Sequence, residues 1–209
     1  MKAFTIMGRT FKAAYDELFL CVFLSLVWWL GTVLIVTAAP ATVGLFNVTN
    51  RIANYKRADT SFFWESARQN IGRGWLLYAI SLLGLGAILF NAIFYFNADG
   101  WLRAFGVFWV WLFVYCLMFS QYLFPLFWQQ DEPDLKLVFR NAALLALRHP
   151  LYTFLMLLFQ IFLFVLSVLL TLPVLLLMPA MVALAANFAL TGLLQEMGLA
   201  PLPPETPRR

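Results

Sequence analysis

Long runs without any aspartate, glutamate, lysine, arginine or histidine alternate along this chain with short polar segments. These uncharged runs cover residues 18–50, 74–98, 104–130 and 151–195. A helix needs about 20 mainly apolar residues to cross a bilayer, so the last run alone is long enough for two crossings. Only hydrocarbon is a suitable solvent for such segments. The pattern predicts an all-α fold, a polytopic transmembrane bundle of about five spans with interfacial amphipathic helices.

The boundaries of the spans follow from the polar segments and from the prolines. The expected spans are 18–46, 75–96, 105–128, 151–171 and 174–195. Pro40, Pro125 and Pro179 are expected to kink their helices, and at Pro40 a helix break is the alternative, because proline removes a backbone hydrogen bond and clashes with the preceding turn. For the last uncharged run, a single longer span that ends at Pro179 and continues as a surface helix is the alternative.

Three segments have the apolar periodicity and the polar face of amphipathic helices that lie at a membrane surface. They are 2–16, 60–73 and 134–149. The first of them has a second interpretation, as the frayed entry to the first span. We expect one membrane domain over 1–199, followed by a disordered proline-rich tail over 200–209.

The distribution of basic residues predicts the orientation. Five spans would place ten of the fourteen lysines and arginines on the side of residues 47–74, 129–150 and the C-terminus. Lys2, Arg9, Lys12 and Arg103 would lie on the other side. The positive-inside rule then predicts a cytoplasmic C-terminus and an N-terminus outside.

The composition excludes several kinds of chemistry. Only 11% of the residues are charged, against about 25% in soluble domains. His149 is the only histidine, so no two-histidine metal site can be built, and a Ser-His-Asp triad would have no other base. Because His149 precedes Pro150 at a membrane surface, it is interpreted as an interfacial residue, with a base as the alternative. We therefore predict no catalytic, cofactor-binding or metal-binding residues, no cofactor and no nucleic-acid partner. The acidic cluster of Asp131, Glu132 and Asp134 is interpreted as a solvated turn, with a cation site as the alternative.

Two sets of polar residues are candidates for function. Ion-coupled transporters place ionisable residues inside their spans, whereas here the expected spans carry only neutral polar groups. The four amides singled out among them are Asn91, Gln121, Gln160 and Asn187. They are interpreted as hydrogen-bonding contacts between helices, or as the lining of a cavity for a neutral solute such as a sugar.

The second set is basic and belongs to the most polar segment of the chain. It consists of Arg51, Lys56, Arg57, Arg68 and Arg73. Such residues beside a membrane attract anionic lipid headgroups, with about 1 kcal/mol for each charge, and they are also candidates for contacts with a partner protein. Ordinary positive-inside bias is the favoured explanation, and a dedicated lipid or partner site is the alternative.

Several short motifs, spread over nearly the whole chain, carry a resemblance to a known family. They are Ala39-Pro40-Ala41-Thr42, Leu45-Phe46, Lys56-Arg57-Ala58-Asp59, Phe63-Trp64, the approach 68–75, Tyr122-Leu123-Phe124-Pro125, and 135–150 with Asn141-Ala142. In this order they resemble the YesL family of bacterial membrane proteins, which is named only as a domain of unknown function. The chain departs from the family at Ala58, where a glycine is common.

The resemblance implies a protein of about five spans that is associated with ATP-driven carbohydrate import, and it supplies no catalytic residues. We expect a non-enzymatic accessory protein of a carbohydrate uptake system, whose transporter would be the partner. A small uncoupled channel or carrier for a neutral solute is the alternative. The sequence leaves the oligomeric state open.

Overall fold

Every regular element in residues 2–130, 134–200 and 202, which the computed structural model of the protein describes, is helical. The first helices are α1 (Lys2–Asp16), α2 (Leu18–Val33), α3 (Ala38–Ala53), α4 (Thr60–Gln69) and α5 (Ile71–Phe96). A 3₁₀ turn, Gly100–Leu102, precedes α6 (Arg103–Ser120) and α7 (Leu123–Phe127). The last helices are α8 (Leu135–Arg148), α9 (Pro150–Leu170), α10 (Leu172–Leu176) and α11 (Met178–Glu196).

The predicted all-α membrane bundle is confirmed. Within the described residues, four helices are long and apolar enough to cross a membrane: Ile71–Phe96, Gly100–Phe127, Pro150–Leu170 and Met178–Glu196. A fifth crossing is reached only if α1 and α2, which meet at 90°, count as one bent span. Because α1 turns so sharply away from α2, it is a helix of its own and not a frayed entry to a span.

The single span predicted over 18–46 is wrong. The chain leaves the helical path at Leu34–Thr37, where Ile35 has a φ of 53°, and returns as α3. The Trp28 indole donates to Thr42 Oγ1 at 3.0 Å, and a Cβ added at Gly31 would lie 2.6 Å from the Ala41 Cβ. Since residues early in α3 contact residues late in α2, the two helices form a tight antiparallel hairpin. Each helix has 16 residues, about 24 Å at 1.5 Å per residue.

The helical path is interrupted just before each of Pro40, Pro125 and Pro179, so the break expected as one of the two outcomes at Pro40 is observed, and none of the three prolines kinks a continuous helix. These prolines are the third residue of α3, the third of α7 and the second of α11, and the chain breaks just before each helix. Backbone N–H groups in a first turn have no partner within the helix, so proline costs no hydrogen bond there. Among the later helices, α9 ends at Leu170, which excludes a single longer span to Pro179.

Helices α3 and α11 form the centre of the molecule. Five alanines of α11 are each at most 1% exposed, and their small side chains allow neighbouring helices to approach closely. They are Ala180, Ala183, Ala185, Ala186 and Ala189. The antiparallel hairpin of α5 and α6 lies at the periphery, where only 11% of the most apolar part of α5 is buried.

Contacts along the central helices define two ends of this bundle. At one end, the turn between α2 and α3 meets the segment between α9 and α11, because Trp29 Nε1 donates to the Val174 carbonyl at 3.0 Å. At the other end, Arg9 of α1 donates to Gln195 Oε1 at 3.1 Å, close to the last turn of α11. The N-terminal helix therefore packs beside the end of α11.

Candidate functional site

The basic segment between α3 and α5 is folded by its own side chains. Arg51 Nε donates to the Arg57 carbonyl at 2.7 Å, and the Arg51 guanidinium carbon lies 3.5 Å from the centroid of the Phe62 ring. A cation at this distance from an aromatic face is attracted by the ring quadrupole. Arg51 is therefore engaged in closing the loop 54–59 and is the least available of the five candidate basic residues.

Asp59 begins α4 as its N-cap, accepting hydrogen bonds from the Ser61 backbone N–H at 2.9 Å and from the Ser61 hydroxyl. The Ser61 hydroxyl is the largest cause of a lowered pKa for the Asp59 carboxyl, since a hydrogen bond to the charged form stabilises it. Arg57 Nε lies 3.4 Å from Asp59 Oδ2, but the Arg57 side chain is 85% exposed. Solvent screens such a pair, so it contributes little to stability.

The other basic candidates are exposed and belong to the loop before α4, to α4 and to the start of α5. Lys56, Arg57, Arg68 and Arg73 are exposed, as is Trp64 of α4. The opposite side of α4 is fixed to α3, because Phe63 is buried over Gly44, where an added Cβ would lie 2.8 Å from the ring. We call the four exposed basic residues with Trp64 the α4 surface. It presents mobile cations beside an aromatic ring, a chemistry that suits anionic headgroups or an acidic protein surface.

The first buried polar cluster lies between α3 and α11. Asn187 accepts a hydrogen bond from Asn50 Nδ2 at 3.0 Å and donates to Thr49 Oγ1 at 2.9 Å and to the Ala183 carbonyl at 3.0 Å. Thr49 in turn donates to the Leu45 carbonyl at 2.8 Å. Asn187 and Thr49 are fully buried, and Asn50 is 7% exposed. This amide cluster links the two central helices.

Two further amides extend this cluster. Asn54 Nδ2 donates to Asn50 Oδ1 at 3.1 Å, and Gln129 Oε1 lies 3.4 Å from the Nδ2 atoms of both Asn50 and Asn54. The sequence-based reasoning missed Asn50, Asn54 and Gln129, because the first span was expected to end at Phe46. The spacing of Asn50 and Asn54 would have placed both on one face of a continued helix.

The second buried cluster joins the end of α6 to α9. Gln160 Nε2 donates to Gln121 Oε1 at 2.8 Å, and Gln121 Nε2 donates to the Thr153 carbonyl at 3.1 Å. The hydroxyls of Tyr122 and Thr153 are 3.0 Å apart. Gln121 stands at the turn between α6 and α7, so its side chain also reaches the free Met118 carbonyl at 2.8 Å.

The four candidate amides do not converge on one cavity. Gln121 and Gln160 bond to each other, Asn187 belongs to the cluster between α3 and α11, and Asn91 donates only to Ala87 of its own helix at 2.8 Å. Each amide is thus bonded within the protein. This arrangement suits contacts between helices better than recognition of a solute.

Tryptophan indoles connect the interrupted helices. In a continuous helix, the backbone N–H of residue 40 would donate to the Val36 carbonyl. Pro40 has no backbone N–H. The Val36 carbonyl instead accepts a hydrogen bond from Trp75 Nε1 at 3.1 Å. Trp128 Nε1 donates to the Val43 carbonyl at 3.1 Å. With the bonds of Trp28 and Trp29, all these indole donors hold one helix against another. Trp28 and Trp29 pack inside the bundle.

Ionisable groups form no cluster of metal-binding type among the described residues: no group of three or more His, Cys, Asp or Glu side chains is close enough to hold a metal ion. Asp131 and Glu132 of the acidic segment lie outside the described residues, as do 203–209 of the expected tail. His149 ends α8 and precedes α9, and its Nε2 is buried without a hydrogen-bond partner. Comparison of the chain with protein-family models, curated proteins and solved structures finds no match.

Proposed function

We propose that this protein is a non-catalytic accessory component of a bacterial membrane system for carbohydrate uptake. The observation that carries the proposal is the mutual bonding of the buried amides, in which Asn187 bonds Asn50 and Gln121 bonds Gln160. These groups hold helices together, so the polar side chains left for recognition are on the outside. The link to carbohydrate uptake comes from the resemblance to the YesL family.

The α4 surface is the proposed point of contact with the partner. Two of its residues, Trp64 and Arg68, lie on α4, which Phe63 holds against α3. Anionic headgroups of the bilayer compete for the same residues. The partner is the membrane-embedded part of an ATP-driven sugar importer, with acidic side chains facing Arg68 and Arg73.

Two measurements on the full chain test this function. In affinity purification from native membranes in a mild detergent, the importer subunits should co-purify, and the double substitution Arg68→Glu with Arg73→Glu should remove them. Lys136→Glu on α8 is the matched control and should leave them bound. Proteoliposomes that contain only this protein should not transport labelled sugars. Sustained flux, or the absence of a stable partner, would favour the uncoupled carrier instead.

We also propose that both termini face the cytoplasm. α2 and α3 form a hairpin, so residue 18 and residue 53 lie at the same end of it, and α1 packs beside the end of α11. With α5, α6, α9 and α11 counted as the spans along the sequence, every basic residue except Arg103, thirteen of fourteen, falls on one side. The start of α5 itself lies against the first half of α3, because Trp75 Nε1 donates to the Val36 carbonyl and Gly74 contacts Val43. This orientation fits the positive-inside rule better than an external N-terminus does. With the N-terminus outside, the basic residues would be divided ten against four between the two sides of the membrane.

The orientation can be tested with single cysteines in a chain in which Cys21 and Cys116 are alanine. Gly8→Cys and Lys56→Cys should react with a membrane-impermeant maleimide only in inverted vesicles. Ala98→Cys, in the link between α5 and α6, should react in intact spheroplasts. Labelling of Gly8→Cys in spheroplasts would show that the N-terminus is outside and would contradict this orientation.

A further inference from the structure

One polar side chain of α5 lacks a complete set of hydrogen-bond partners. Asn91 Nδ2 donates to the Ala87 carbonyl of its own helix at 2.8 Å, which uses one of its two N–H groups. Within the described part of the chain, the Asn91 carboxamide oxygen accepts no hydrogen bond. Asn91 precedes Asn97 by six residues, about 9 Å at 1.5 Å per residue, and so lies inside the uncharged run 74–98. Hydrocarbon cannot supply the missing partners.

Asn91 belongs to a row of side chains on the outside of α5. The row has the alternating spacing of four and three residues with which two packed helices meet along one face. Its members are all exposed or half-exposed: Ile80, Gly84, Ala87, Asn91 and Phe94. We call these five residues the α5 seam. It is separate from the α4 surface and from both amide clusters.

The middle of the α5 seam allows another helix to approach closely. A Cβ added at Gly84 would have nothing within 4 Å, and Ala87 is exposed, so no other described helix of this chain occupies the space beside them. Small residues on a membrane helix let two backbones come near enough for direct contacts. The seam carries no charge, so two copies of it would meet no electrostatic repulsion.

We infer that the α5 seam binds the same seam of a second copy of this chain, in a parallel dimer with its two-fold axis along the membrane normal. The electrostatic pattern of Asn91 identifies this partner, because an amide with one open acceptor and one open N–H is complementary to itself. A two-fold interface brings a residue near the axis opposite its own counterpart, so each Asn91 donates to the oxygen of the other. Acyl chains would leave both groups unpaired.

Oxidative cross-linking of single cysteines, in dilute vesicles and with Cys21 and Cys116 replaced by alanine, tests the α5 seam. Ala87→Cys lies one turn before Asn91 and should give a covalent dimer and no larger species. Leu89→Cys lies on another side of α5 at nearly the same depth, where Leu89 is 42% exposed, and should stay monomeric as the matched control. Equal cross-linking of both variants, a ladder of larger species, or no dimer from Ala87→Cys would overturn the inference.

Substitution of Asn91 separates the hydrogen bonds between copies from the fold of each copy. Single-molecule photobleaching of the full chain in vesicles should show a dimerisation constant about threefold to tenfold weaker in Asn91→Leu, the range for such bonds between membrane helices. Asn91→Gln keeps an amide and should recover most of this loss. Ser81→Ala removes a hydroxyl that bonds only the Leu77 carbonyl of its own helix, and should change nothing.

Unfolding of the monomer in dilute detergent distinguishes a weaker dimer from a damaged fold. It should be the same in Asn91→Leu as in the unmodified chain, because Asn91 bonds only Ala87 within one copy. An unchanged dimerisation constant in Asn91→Leu, or an equal loss in Ser81→Ala, would contradict pairing through Asn91. A chain that is monomeric at every protein-to-lipid ratio would show that lipid alone covers this face.

Discussion

Individual polar side chains in this protein act mainly as connections between helices. A polar group left unpaired in hydrocarbon costs several kcal/mol, so each indole, amide and hydroxyl of the interior needs a partner. Trp75 supplies the donor that Pro40 cannot give to the Val36 carbonyl, and Asn187 satisfies Asn50 and Thr49 at once. A residue with several such bonds should be far harder to replace than one that bonds only its own helix.

Asn187→Leu should lower the free energy of unfolding by about 2 kcal/mol, because it leaves Asn50 buried without that acceptor. Asn91→Leu is the matched control and should stay within about 0.5 kcal/mol, since Asn91 bonds only Ala87 of its own helix. Unfolding by sodium dodecyl sulfate, followed by circular dichroism, measures both. Equal losses in the two variants would show that the cluster between α3 and α11 contributes nothing particular.

Asp59 gives the protein an acid-sensitive contact. Because its folded pKa is lowered by the bond from Ser61, ionised Asp59 stabilises the fold above the ordinary carboxyl pKa of 3.8. That contribution is lost as the pH falls from about 3.8 through the lower folded pKa. Asp59→Asn should therefore reduce stability at pH 7 and flatten its decrease below pH 4. Glu65→Gln removes an exposed charge from the same helix and should leave the decrease in melting temperature below pH 4 unchanged. If the melting temperature of Asp59→Asn fell with pH in parallel with that of the unmodified protein, the stabilising role of ionised Asp59 would be refuted.

At the scale of helices, the sequence predicts the end of a helix well where polar residues mark that end. The hairpin of α5 and α6 was predicted because Asn97 and Asp99 interrupt the apolar pattern, and the structure places the turn there. The break between α2 and α3 consists of Leu34, Ile35, Val36 and Thr37. Hydropathy cannot distinguish an apolar turn from an apolar helix, since both have the composition that hydrocarbon requires.

The buried clusters were missed for a related reason. Asn50 lies inside α3 and Asn54 is its C-cap, because that helix continues to Ala53, beyond the expected end of the span at Phe46. The four candidate amides were recognised as intramembrane groups, but their pairing depends on which helices are neighbours. That information is a property of tertiary packing, not of local pattern.

Close contact between elements depends on particular glycines. A Cβ at Gly44 would lie 2.8 Å from the Phe63 ring and 2.9 Å from the Phe63 carbonyl oxygen, so α4 could not keep its position on α3. Gly44→Ala should cost about 1–3 kcal/mol of unfolding free energy, the usual effect of overpacking. Gly84→Ala on α5, where nothing lies within 4 Å of an added Cβ, should be neutral or stabilise by up to about 1 kcal/mol. The same detergent titration measures both, and a tolerated Gly44→Ala would show that α4 is not fixed at this contact.

For the molecule as a whole, the least apolar of the four candidate spans is the most buried. The apolar window of α9 has a mean hydropathy of 2.6 and is 33% buried, whereas that of α11 has a mean hydropathy of 1.4 and is 78% buried. In a water-soluble protein, the more apolar of the two helices would be the more buried one. Here lipid surrounds the most apolar helices, and the centre combines small residues with paired amides, as expected when packing and hydrogen bonds hold helices together.

The central claim is that this interior is dry and that its polar groups are paired with one another. Thr49→Cys and Thr153→Cys, two nearly isosteric substitutions at fully buried positions of the two clusters, test it most directly in a chain whose native cysteines are alanine. Exposed Thr5→Cys serves as the reactive control. We predict that a small, charged thiol reagent modifies Thr5→Cys and leaves both buried cysteines unmodified in sealed inverted vesicles. Rapid modification of either buried cysteine would contradict the account, because it would reveal a water-filled passage through the bundle.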